Sequence, residues 1–267
     1  MFKQIYRDQK RALKSILFWA CVLIGVALAI FDLYNNEVLY NMPVERMGML
    51  TAFIHATGLS PNGVFQLCAP LLCTVPYALA FLDDIQTRHI NNLLSRMKCS
   101  DYYISRAIST GIIGGLYFIC VYILLLLICA VVSPTPSIRI ILSPIIPFTY
   151  IYQKSLLGFI GIYTVHSFIF GFTFNLLTLG ISSIILNKYI GLAIPFVLYH
   201  TALLLAWILP KAFVYDFVNY IPYESFNIQI YDLFTVVYRH GVILALGFAL
   251  YAIGIYRHRV LCIDNAE

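Results

Sequence analysis

The sequence is poor in the residue arrangements that perform catalysis. Holding a nucleotide triphosphate calls for G-x-x-x-x-G-K-[ST], whose backbone N–H groups and lysine cradle the phosphates, yet no glycine here is followed by lysine. H-E-x-x-H and G-x-S-x-G are also missing, which removes zinc hydrolysis and serine acyl transfer through those motifs. The cysteines, Cys21, Cys68, Cys73, Cys99, Cys120, Cys129 and Cys262, match no metal-ligand spacing and imply no disulfide framework. Within the long apolar stretches the polar candidates are His166, Asn175 and His200. An intramembrane histidine is costly and points mildly to function, although its commoner role is a neutral hydrogen bond to a neighbouring helix.

The richest polar segment is Asp83–Arg106. Its acids come first and its bases mostly later, which complements a helix dipole. Ile85, His89, Asn92 and Leu93 fall on one stripe, so the spacing predicts a short surface helix over Asp84–Ser95. Ile90, Leu93, Leu94 and Met97 add more apolar surface than a freely solvated turn carries, which points to a partner.

These residues are spaced along a chain built for lipid. Of 267 residues, 61% are hydrophobic and only 11% charged, with a mean hydropathy of +0.85. Soluble domains are about a quarter charged. A helix needs roughly 20 apolar residues to cross the hydrocarbon, because unpaired backbone groups are not tolerated there. Stretches near Ser15–Phe31, Gly63–Leu82, Ala107–Val132, Gly158–Leu186, Tyr189–Leu209 and Gly241–Tyr256 meet that need, and no Asp, Glu, Lys or Arg lies inside them. The fourth and fifth are separated only by Asn187 and Lys188. The expected fold is therefore all-α, a membrane protein with six transmembrane helices over 15–256, an N-terminal amphipathic helix over 1–14 and a tail over 257–267. The aromatic stretch Pro210–Tyr238 predicts short re-entrant or interfacial helices before the last span, and Ser133–Pro147 an apolar, proline-broken outer loop.

Charge sets the expected orientation. Lys3, Arg7, Lys10, Arg11, Lys14, Arg88, Arg96, Lys98, Arg106, Lys188, Arg257 and Arg259 fall on one side, twelve of the 17 basic residues. That side is read as cytoplasmic and holds both termini. The asymmetry accounts for the net charge of +5 without a nucleic-acid partner. In residues 2–14, Phe2, Ile5, Tyr6, Gln9 and Leu13 share one face among five bases, the pattern of an interfacial helix. No small-residue cleavage site follows the first apolar stretch, so it reads as a retained span.

The inner segment resembles the loop of type-2 ABC-transporter permeases, the exporter class that includes ABCG proteins. The matching residues are Asp84, Leu93-Leu94, Arg96, Cys99 at the small position, Tyr103-Ile104 and Arg106, followed directly by a span at Ala107. The sequence departs where many members carry Gly-Thr, having Arg88-His89 instead.

The resemblance implies a plasma-membrane permease subunit, bacterial in kind, that is not itself an enzyme. It pairs with a second permease copy or a related permease and docks a separate nucleotide-binding ATPase, which carries the ATP and Mg, so this chain needs no cofactor. Asp84, Ile85, His89, Ile90, Leu93, Leu94 and Arg96 are then the expected coupling residues. Thr74, Tyr77, Tyr199, His200 and Thr201 are expected to line a cavity. Uncharged, aromatic spans suit export of amphipathic or hydrophobic cargo, such as an antimicrobial or toxin peptide, a lipid or a drug. The alternatives are a non-transporting assembly partner or sensor and an ion-coupled carrier.

Overall fold

The computed structural model describes residues 2–40, 43–57, 63–87, 90, 93, 98–134, 154–208 and 233–264. Among these the regular elements are all helices: α1 (Phe2–Leu13), α2 (Ile16–Tyr40), α3 (Val44–Met47), α4 (Met49–Thr57), α5 (Val64–Thr74), α6 (Ala80–Gln86), α7 (Cys99–Val132), α8 (Leu156–Ile184), α9 (Lys188–Ile208) and α10 (Leu233–Asp264). Four stretches, Ile16–Asn35, Cys99–Val132, Leu157–Ile184 and His240–Arg257, are long and apolar enough to cross a bilayer. Leu23, Ile24, Leu127, Val131, Val165 and Ile253 project outward from them, as lipid-facing side chains do.

The stretch expected as a second continuous span is instead two short helices, α5 and α6, joined by a turn at 75–79. Pro76 explains the break: it has no N–H and its ring crowds the carbonyl four residues earlier. In an unbroken helix the Tyr77 N–H would bond the Cys73 carbonyl; that oxygen instead accepts from Asn175 Nδ2 of α8 at 2.8 Å. Asn175 thus satisfies a backbone group that the break would strand in an apolar interior.

The expected turn at Asn187-Lys188 is present. Asn187 Oδ1 accepts from the N–H groups of Tyr189 and Ile190 at 3.0 and 3.3 Å, an N-cap that starts α9 just after α8 ends. The α1/α2 junction is fixed from both sides, because Trp19 Nε1 donates to the Leu13 carbonyl and Ser15 Oγ accepts from Leu17 N–H. Gly48, at φ 79°, lets the chain turn between α3 and α4 where a Cβ would be strained.

The most enclosed of the four candidate spans is α8, which packs against α7, α9 and α10. Where water is absent, helices associate through close backbone approach at small residues. A Cβ on Gly114 of α7 would lie 2.4 Å from the Gly171 carbonyl oxygen of α8, and one on Gly180 of α8 2.6 Å from the Gly247 oxygen of α10. At one end of the bundle, Asp32 of α2 accepts from the N–H groups of Val64 and Phe65 at 3.0 and 2.8 Å, capping α5 from another helix. The same end carries bonds from Ser133 to the Val44 carbonyl and from Tyr163 to the Thr57 carbonyl. The opposite end holds the site described next.

Candidate functional site

Arg106 lies about two turns into α7, immediately before its uncharged stretch, is 1% exposed, and is the largest fully buried side chain among the described residues. A guanidinium cannot sit there unpaired. Its Nη2 forms an ion pair with Asp84 Oδ2 of α6, and its Nη1 donates to Tyr77 OH in the turn before α6. Nη1 also stands 3.5 Å from Asp8 Oδ2 of α1. Tyr102 OH donates to Asp84 Oδ2 at 2.8 Å, and Gln4 Nε2 to Asp8 Oδ1 at 3.0 Å. The rings of Tyr77 and Tyr102 each flank the guanidinium carbon, with centroids 5.5 Å away. Arg11, exposed on α1, reaches within 3.8 Å of Asp84 Oδ1.

Two carboxylates and two guanidiniums therefore balance within one largely buried cluster. Its members come from α1, the α5–α6 turn, α6 and the start of α7, so three separate elements close on a single side chain. Burial pushes the Asp8 carboxyl above its ordinary range, outweighing the Arg106 guanidinium that draws it down. A second ion pair, Lys188–Asp83, ties the start of α9 to α6 on the same end.

Of the expected coupling residues, Asp84 faces inward and holds Arg106. Ile85, Ile90 and Leu93 are half-buried against Phe81, Tyr102, Leu176 and Tyr251. The expected Asp84–Ser95 helix begins inside α6, which ends at Gln86 with Thr87 Oγ1 donating to the Asp83 carbonyl. His89, Leu94 and Arg96 lie outside the described residues, as do most of the proline-broken outer loop and residues 210–232 of the aromatic stretch expected over Pro210–Tyr238, whose last six residues begin α10. The tail expected from 257 continues α10 as far as Asp264.

The expected lining residues serve separate purposes. Thr74 bonds the carbonyls of Pro70 and Leu71 within its own helix, and Tyr77 belongs to the charge cluster. Tyr199 packs edge-on against Phe170 and Phe174. His200 Nδ1 pairs with the Phe196 carbonyl one turn back at 2.9 Å, while Thr201 is exposed. The other histidine singled out from the apolar stretches, His166, meets His240 of α10, with ring centroids 5.0 Å apart at 85°.

Asp8, Arg11 and Asp32 carry structural roles that the sequence did not single out. The available signal for Asp8 was its isolation, since it is the one acid on a helix otherwise rich in bases.

No family model, curated protein or solved structure matches this chain.

Proposed function

We propose that this chain is the transmembrane permease subunit of an ATP-driven exporter of amphipathic or hydrophobic cargo. In this reading it crosses the membrane six times, with α5–α6 and α9 completing the count, and works paired with a second permease and a separate ATPase. The observation that carries it is the Arg106 cluster. A subunit without a nucleotide site must receive work from outside, and that work must enter through elements joined stiffly to the spans. Asp8, Asp84 and Arg106 make α1, α6 and the base of α7 one such unit. A push on α1 or on the segment after α6 is then delivered to a 34-residue span. In this reading the ATPase docks at this end of the bundle, as the loop resemblance implies, and the absence of a phosphate-loop motif fits a borrowed ATPase.

The test is reconstitution with an ATPase subunit encoded beside this chain and bearing Walker motifs. The pair should copurify, and vesicles containing both should move a fluorescent amphipathic peptide only with hydrolysable ATP. Copurification without any ATP-dependent movement of peptide, lipid or drug probes refutes export. Topology is checked by single cysteines in a cysteine-free background: Asp101→Cys and Asn265→Cys should label from the inner face, Asn41→Cys and Asn219→Cys from the outer.

One observation favours an ion-coupled carrier, namely the His166–His240 pair inside the bundle. Cargo movement driven by a pH gradient without ATP, and lost in His166→Gln, would select that reading.

A further inference from the structure

The helix α1 divides its surface into three sectors. Asp8 and Ala12 are buried against the bundle, with Gln4 and Ile5 half-buried beside them. Phe2, Tyr6 and Leu13 form an exposed apolar stripe, with Phe2 80% exposed. Lys3, Arg7, Lys10 and Lys14, at helical spacing, form an exposed cationic stripe next to it.

The only acid on α1 is Asp8, and its charge is turned inward to Arg106. The outward face therefore carries bases that no acid of the same helix neutralises. An open groove runs where the two stripes meet, lined by Phe2, Lys3, Tyr6, Arg7 and Lys10. A site that is half cationic and half aromatic, beside spans that lie in lipid, matches a molecule with an anionic head and an apolar tail.

We propose that this groove is a binding site for an anionic phospholipid, whose phosphate is held by Lys3, Arg7 and Lys10 and whose upper acyl chain lies along Phe2 and Tyr6. Attraction of a basic helix to an acidic bilayer accounts for the charge, and the apolar stripe fixes the depth. The inference does not depend on the export reading, because it uses only α1 and its attachment to the bundle. It also gives the Arg106 cluster a second input: a lipid that holds α1 in place stiffens the contact of Asp8 with Arg106 and hence with Asp84.

The experiment is native mass spectrometry of the full chain in detergent, titrated with phosphatidylglycerol or phosphatidylcholine of equal chain length. The wild-type chain should prefer phosphatidylglycerol on the order of a hundredfold. Lys3→Gln/Arg7→Gln/Lys10→Gln should weaken phosphatidylglycerol binding on the order of a hundredfold and leave phosphatidylcholine unchanged. All three side chains are exposed, so the bundle does not depend on them. Single Arg7→Gln, expected to lose about fivefold, gives the same reading if the triple variant is poorly produced. Lys98→Gln, exposed on the same end but off α1, should keep the full preference. Equal affinity of the wild-type chain for both lipids, or a preference retained by the α1 variants, overturns the proposal. Displacement of the lipid by millimolar inorganic phosphate also overturns it, since the groove would then hold a soluble anion rather than a lipid.

Discussion

Replacing Arg106 with leucine keeps most of the side-chain volume and removes the charge on which α1, α6 and α7 converge. Asp84 would retain Tyr102 at 2.8 Å and the distant, exposed Arg11 at 3.8 Å. Asp8 would retain Gln4 and Tyr77, two neutral partners, and lose its guanidinium. Both carboxylates are 3% exposed or less, so neither can recover its hydration without moving. Removing one partner of a buried ion pair costs about 3–5 kcal/mol, most of it the penalty on the charge left behind. Arg106→Leu should therefore lower stability by about that amount, and α1 should become the first segment cut by protease.

Arg106→Lys keeps the charge, but one ammonium cannot reach Asp84, Asp8 and Tyr77 in the fork geometry, so about half the loss should remain. Asp84→Asn/Arg106→Leu removes one of the two orphaned charges, leaving Asp8, and should recover about 1–3 kcal/mol relative to the sum of the single losses. The assay is thermal unfolding in detergent followed with a thiol-reactive dye, for which the buried free thiols Cys21, Cys73 and Cys129 report opening. If Arg106→Leu melts within about 0.5 kcal/mol of wild type and α1 stays protected, the cluster does not hold these helices together and the reasoning fails.

Asp8 responds oppositely to pH. Its unfolded value is near 3.8 and its folded value is higher, so its contribution is full below pH 3.8 and is lost as pH rises through the folded value. Asp8→Asn should melt at or above wild type at neutral pH, and melting curves taken at decreasing pH should converge below 3.8. At the α7–α8 contact, Gly114→Ala should cost about 1–3 kcal/mol because its Cβ would meet backbone, whereas Gly161→Ala, with nothing within 4 Å, should be neutral or slightly stabilising; paired unfolding midpoints decide. Asp32→Ala leaves two N–H groups of α5 unpaired and should cost about 1–3 kcal/mol, read as faster hydrogen exchange at Val64 and Phe65.

Much of the helical layout was legible because membrane helices announce themselves by length. The α8–α9 turn could be found from two residues, since Asn187 is a cap as well as a polar interruption. The second stretch was harder: Pro76 marks a kink in any apolar run, but whether a helix bends or breaks depends on a donor for the freed carbonyl. That donor, Asn175, lies about a hundred residues away in sequence. Arg106 read as a charge at a span's edge, where most arginines reach water. Its burial follows from α1 folding back over it, and no local pattern encodes that return. His166 and His200 looked equivalent in sequence, yet one meets another helix and the other bonds its own.

The distance in sequence between Asp8 and Arg106 also bears on how the protein is made. Chains emerge from the ribosome N-terminus first. While α2, α5 and α6 are being made, Asp8 does not yet have Arg106 to pair with. Only when the beginning of α7 leaves the exit tunnel can α1 fold down, so its docking is a late checkpoint rather than an early nucleus. Nascent chains arrested before Arg106 should leave α1 open to quality-control proteases, and chains arrested well beyond it should not.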